Sequence, residues 1–298
     1  MANNQKHFSR MITAMKDWET VPSGKIESPK GMFGRKIIIK SENVTIDSET
    51  LDCEFTVPFD DNTECNEAEI IVYNITQNTI KNLKNNQKIT ITAGYEKDVG
   101  IIFSGRISKV KTKFEGVDKK TTIYAIDDAD LKEKDVEEIS YAAGTKASYI
   151  LKDLLKRLKL PIAVFKIRYD HTYENAVNVS GGLMSSIEKY AKVCGISAYV
   201  LKGKIYARHL KEDGNTTFTV SEETGLIDSP EEFEEEVEEE SYTETIKGYK
   251  LKMLLQHRMT TGAVIQLKSQ NAKGRFYVKE GTHTFDGTNF TTEITVIA

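Results

Sequence analysis

The sequence is short of most of the features that announce chemistry. Its 298 residues include three cysteines, Cys53, Cys65 and Cys194, with no C-x-x-C pair. That odd, scattered set argues against a disulfide framework or a cysteine zinc site and fits buried or idle thiols in a reducing compartment. No window approaches eighteen apolar residues, and the first thirty hold no apolar stretch, so neither a membrane span nor a signal peptide is expected. The five histidines, His7, His171, His209, His257 and His283, form no H-E-x-x-H and no i, i+4 pair. A G-x-S-x-G nucleophile elbow is absent too. The expectation is a non-enzyme with no cofactor, no metal and no catalytic residue. The single tryptophan, Trp18, lies outside the expected β regions, which disfavours a carbohydrate-binding β protein that would need exposed aromatics.

Basic residues are plentiful but mostly lysine, and no basic cluster interleaves with aromatics, so sequence-specific nucleic-acid binding is not indicated. The charge is instead uneven. Residues 228–244 carry ten acidic side chains and no basic one, and removing them from the net charge of -4 leaves +6 elsewhere. The centre of that run holds Glu231, Glu232, Glu234, Glu235, Glu236, Glu238, Glu239 and Glu240. By composition it is a solvated, self-repelling linker. The sharper reading is a negative surface that keeps a passing polyanion such as DNA from sticking.

What is present is a loose internal repeat. Gly105-Arg106-Ile107 leads to Phe114-Glu115-Gly116 and then Thr121-Thr122-Ile123. Gly274-Arg275-Phe276 leads to Phe285-Asp286-Gly287 and then Thr291-Thr292-Glu293-Ile294. Each copy reads as a strand, an acidic-Gly turn and a Thr/Ile strand. Two ordinary hairpins sharing a turn dipeptide would look the same; the alternative is a duplicated β unit bracketing a different middle.

Four segments follow. Residues 1–34 are a polar extension. Residues 35–135 hold about six strands and one short helix from Thr76 to Leu83, with Lys88–Ala93 alternating at period 2. Residues 136–215 are a small α/β module. Its first helix is expected to be capped by Thr145 and to end before Pro161, and its second to run from Leu183 to Val193 with Cys194 as core filler. Ser180-Gly181-Gly182 is a helix-entry turn, and Lys202-Gly203 splits a hairpin. Residues 216–298 return to β structure, with the acidic segment 228–244 as its lead-in. The last strand closes the chain, so no appended catalytic domain is expected.

Several segments together resemble the baseplate hub proteins of phage tails and phage-tail-like particles, the group that includes late control protein D and the N-terminal part of VgrG spikes. They are Ala68–Ile75, Lys88–Tyr95 and Val99–Gly105, then Gly225–Ile227, Gly248–Lys250, Leu254-Leu255 and Gly274–Val278. The match spans roughly 35–298; Thr261-Gly262-Ala263 departs from the family's usual Pro-Gly-Asp step. The resemblance implies a mainly β chain in which two tube-like β-barrel domains flank the α/β middle. It also implies a homotrimer, whose six similar faces adapt a six-fold tail tube to a three-fold spike. Expected partners are a tail tube or distal tail protein, a spike or tip protein, and the tape measure protein. DNA would pass without specific binding. The implied location is the virion tail baseplate, assembled in the host cytoplasm. On this reading Glu231 to Glu240 stand at or near the lumen. The competing function is a peptidoglycan-binding or cell-wall-degrading tail protein, since Tyr141–Thr145 and the helix after it are similar to the opening of a LysM module.

Overall fold

The computed structural model describes residues 34–63, 65–127, 135–212, 217–239 and 242–298; the extension, up to residue 33, lies outside them. The first unit comprises β1 (Arg35–Ser41), β2 (Thr45–Asp47), β3 (Cys53–Phe59), β4 (Glu67–Tyr73), α1 (Gln77–Asn82), β5 (Lys88–Tyr95), β6 (Asp98–Glu115) and β7 (Asp118–Ile126). Alternation does what period 2 requires: Ile37 and Ile39, and Ile89, Ile91 and Ala93, are buried while the residues between them are not. α1 starts where Thr76 accepts the Thr79 N–H at 3.1 Å, a side-chain cap for an otherwise unpaired donor.

The middle module comprises β8 (Asp135–Tyr141), α2 (Ala147–Arg157), β9 (Ile162–Phe165), β10 (Val177–Gly182), α3 (Leu183–Val193), β11 (Ser197–Leu201) and β12 (Lys204–Arg208). β8 and β10 pair with each other, and β11, β12 and β9 form a second small sheet. The two helices bury Ile150, Leu151, Leu154, Ile187 and Ala191 in a core of their own, which also holds the wholly buried Cys194. Burial pushes the Cys194 thiol up to about 11, leaving it inert at neutral pH. Thr145 does not cap α2. Its hydroxyl donates to the Ala142 carbonyl, and the carboxylate of Asp170 takes the Ser148 N–H at 3.1 Å instead.

The second unit comprises β13 (Phe218–Val220), β14 (Glu231–Glu239), β15 (Tyr242–Leu254), β16 (Val264–Lys268), β17 (Lys273–Phe285) and β18 (Phe290–Ile297). It repeats the first. Pairing order in the first unit runs β1-β5-β6-β7-β4-β3, and in the second β13-β16-β17-β18-β15-β14. Taken in chain order, these are the same arrangement strand for strand. Two features differ: β2, paired with β1, has no counterpart among the described strands of the second unit, and β13 pairs parallel with β16, whereas β1 is antiparallel to β5. The two repeated hairpins even share a bulge eight residues before the turn glycine, at Ser108 ahead of Gly116 and at Lys279 ahead of Gly287. Both glycines take positive φ, +64° and +88°, which a residue with a Cβ rarely adopts.

The expected pair of closed barrels is not what these strands build. All thirteen strands of the two units join in one sheet, and among the described residues no barrel closes. The reason lies in β17. Beyond Tyr277 it outruns β16, and Gly281–Phe285 pair with Phe59–Phe55 of β3, so the two units share one continuous sheet.

Candidate functional site

Two surfaces of this sheet carry its functional possibilities: the seam where the units meet and the acidic strand at its end. At the seam, the β5–β6 turn of the first unit delivers Asp98 to the segment after β15. Asp98 Oδ1 lies 2.9 Å from His257 Nε2, and Oδ2 lies 2.6 Å from Arg258 Nη1 and 3.4 Å from Gln256 Nε2. Burial alone would raise the Asp98 carboxyl, but the hydrogen bonds and charges of His257 and Arg258 hold it well below the usual carboxylate range. Burial also lowers His257, with Arg258 beside it. The imidazole is therefore neutral at pH 7, its Nε2–H donates to Asp98, and Arg258 supplies the countercharge. The ring lies against Gly100, where an added Cβ would stand 2.1 Å from Nδ1.

The module docks nearby. Arg208 reaches from β12 to Tyr199 Oη at 3.2 Å and to the Gly262 carbonyl at 3.1 Å, and Ser197 donates to Asp61 at 2.8 Å. His283 is fully buried, its Nδ1 2.8 Å from Thr292 Oγ1 and its ring 5.0 Å from that of Phe59. None of these residues was legible as a site in sequence. His257 stands 159 positions from Asp98, and no local pattern marks such a contact. Among the described residues no three His, Cys, Asp or Glu side chains gather as a metal site. No described helix is long and apolar enough to cross a membrane.

The acidic run is not a linker. Glu231–Glu239 is strand β14, paired antiparallel along its whole length with β15; Glu240 lies outside the described residues. Glu231, Glu232, Glu234 and Glu236 are exposed, while Phe233 and Glu235 are partly covered. Neighbours answer part of the strand's charge: Glu234 pairs with Lys247 at 3.1 Å and Glu235 with Lys279 at 3.3 Å. Phe233 packs toward Tyr199, Ile297 and Tyr277, and Lys250 sits over its ring. Register places Glu231 beside Lys250, Thr295 and Glu280 on one face of the sheet, opposite the face that carries Leu251, Ile294 and Val296 into the second unit's core. That face is concave here, a trough of about 580 Å³ lined by Pro58, Asp60, Glu231, Lys250, Thr282 and Glu293.

Solved structures that share this fold include prophage tail proteins and a type VI secretion component. A tail protein from Neisseria meningitidis MC58 superposes with a TM-score of 0.65 at 8% identity, covering 89% of this chain and 97% of that one. The 43 kDa tail protein of prophage MuSo2 from Shewanella oneidensis gives 0.62 at 7%, covering 88% and 97%. The E. coli c3393 protein, a type VI secretion component, gives 0.55 at 10%, covering 87% and 76%. No curated protein sequence matches the chain. The fold is thus one shared by prophage tail proteins and a type VI secretion component. The family model described as Baseplate hub gp41 matches residues 39–273, and the chain belongs to that family of tail components.

Proposed function

We propose that the chain is a non-enzymatic baseplate hub in which three copies form a ring between a six-fold tail tube and a three-fold spike. The observation that carries this is the strand-for-strand repeat. A chain holding two β units of one topology gives six similar faces from three copies, so duplication resolves the symmetry mismatch. On this reading the units at 35–135 and 216–298 are tube-like domains that flank the module at 136–215. They are open in the single chain and close only around the ring. Supporting partners are a tail tube or distal tail protein above, a spike or tip protein below, and the tape measure protein within. The particle is the virion tail, put together in the host cytoplasm.

The concave polar face is the wall of the passage in this proposal. Glu231 and Glu235 stand on it, with Glu232, Glu234 and Glu236 along the same strand, so the acidic strand lies at or near the lumen and discourages DNA from adhering. Mass measurement in solution with negative-stain imaging tests the reading. Three copies around a central hole are expected; a single copy, or a compact dimer without a hole, would overturn it.

A further inference from the structure

The contact that joins the two units inside one chain is present once and half-built a second time. In the filled case, β17 runs past the end of β16 and lays Gly281–Phe285 against Phe59–Phe55 of β3. The strand-for-strand correspondence equates β17 with β6 and β3 with β14. β6 also outruns its neighbour. Its pairing with β5 stops at Arg106, and from Lys109 to Glu115 it has β7 on one side and, among the described residues, no strand on the other. Among the described residues β14 is paired only with β15. Seven strand spacings of the sheet separate the two open edges, about 33 Å along its surface. No pairing among the described strands brings them together.

We propose that β14 of one copy pairs antiparallel with the outer half of β6 in a second copy of this chain. The filled contact fixes the register when its pairings are carried across. Lys111 then stands opposite Phe233, Lys113 opposite Glu231 and Phe114 opposite Pro230; one step on, Lys109 meets Glu235. Backbone pairing alone produced this alignment, yet it sets lysine against glutamate twice. It also places Lys111 against the Phe233 ring, with both glutamates on the diagonals. The faces agree as well. Lys109, Lys111 and Lys113 share the polar face through Tyr124, Thr122 and Lys120, and Glu231 shares it through Lys250 and Thr295. A slip of one residue would break that continuity.

Exposure points the same way. Phe285, the equivalent of Phe114, lies against Phe55 and Phe290 within the chain, whereas Phe114 is 73% exposed. An edge of nine residues with this much like charge repels another copy of itself and selects a basic strand. The contact joins two different surfaces, so repeated application gives a ring or a fibre. Closure at three copies rests on the hub reading above; the contact itself does not.

The test uses the full chain. Sedimentation of the wild type should show self-association; K113E and E231K should each weaken it at least fivefold; and the double variant K113E/E231K should restore it. Both positions are exposed, so unchanged thermal unfolding of the dilute single copies separates lost pairing from lost folding. Mixing K111C with F233C under oxidation should give a crosslinked dimer that neither variant gives alone. Association that ignores both charge reversals and yields no crosslink overturns the strand pairing and leaves the ring of three standing. Crosslinking with open-ended growth keeps the pairing and overturns the ring. A chain that stays single at every concentration overturns both.

Discussion

Phe285 stands directly opposite Phe55, the last residue of the second unit's long strand against the first unit's sheet, with ring centroids 6.2 Å apart. Phe290 closes the group, edge-on to Phe55 at 6.3 Å and to Tyr95 at 5.4 Å. This is the apolar half of the seam, and it makes the units depend on each other. Phe290→Ala should lower the unfolding free energy by ~3–5 kcal/mol, because a full ring leaves a packed site. Phe114→Ala, at the equivalent of Phe285 but in solvent, should change single-copy stability by less than ~0.5 kcal/mol. Urea denaturation of the two variants checks the contrast; equal losses would mean that the repeat does not share its seam residues.

The two repeated hairpins, the second helix and the Lys202-Gly203 turn were legible in sequence because each rests on local signals: period, Thr-rich strands, and glycines forced to positive φ. What was not legible depends on register between distant strands. Glu231–Glu239 reads as a linker until Lys247, Lys250 and Lys279 are placed beside it; only Phe233, spaced from Val237 by four, hints that the run has sides. The single sheet shared by the two units was hidden for a like reason. Nothing in β17 itself says that its outer half will pair with β3 rather than curl back on its own unit. Asp170 capping α2 from twenty-two residues away belongs with these.

Gly100 is the position where the seam leaves no room. A Cβ there would meet His257 Nδ1 at 2.1 Å, so Gly100→Ala must push the ring off Asp98 or shift β6. A loss of ~1–3 kcal/mol is expected, the usual cost of overpacking. His257→Ala in the same chain should recover part of it, since the clash and its target are removed together. Simple additivity of the two losses in denaturation would show that the ring does not lie where the seam places it.

His283 makes the fold acid-sensitive. Complete burial, then the nearby Lys202 charge, push its pKa down to about 3. The unfolded imidazole takes up a proton near pH 6.5 and the folded one does not, so the unfolded state binds more protons between those values. Stability should therefore fall as pH drops from about 6.5 toward 3, by up to ~1.4 kcal/mol per pH unit from this group. Asp98, with its carboxyl held low, adds its loss only below about pH 4 and does so in both chains, and His257, whose charge bears on His283, is retained in a His283→Gln variant. The difference between wild type and His283→Gln across pH 4.5 to 6.5 thus isolates His283. Parallel curves would show that the ring is not buried neutral.

Lys202 makes the opposite prediction on the alkaline side. It sits at the tip of the β11–β12 hairpin with φ +51°, and burial alone lowers its ammonium to about 8. Its charge also bears on His257 and His283, lowering both. The unfolded lysine holds its proton to about pH 10.4, so from about 8 upward the unfolded state binds more protons and stability rises with pH. Tyrosines raised by burial, Tyr199 among them, act the other way near and above pH 10, and the buried thiols of Cys53 and Cys194 do so from about pH 8.5, but both sets are common to the two chains compared, so the difference between them across pH 8 to 9.5 reports Lys202. Lys202→Asn removes the charge while keeping a residue that tolerates the left-handed turn. The wild type should gain stability relative to Lys202→Asn across that window, as followed by urea denaturation at fixed salt. A constant difference between the two chains would place the ammonium in solvent and remove its charge from the surroundings of His283.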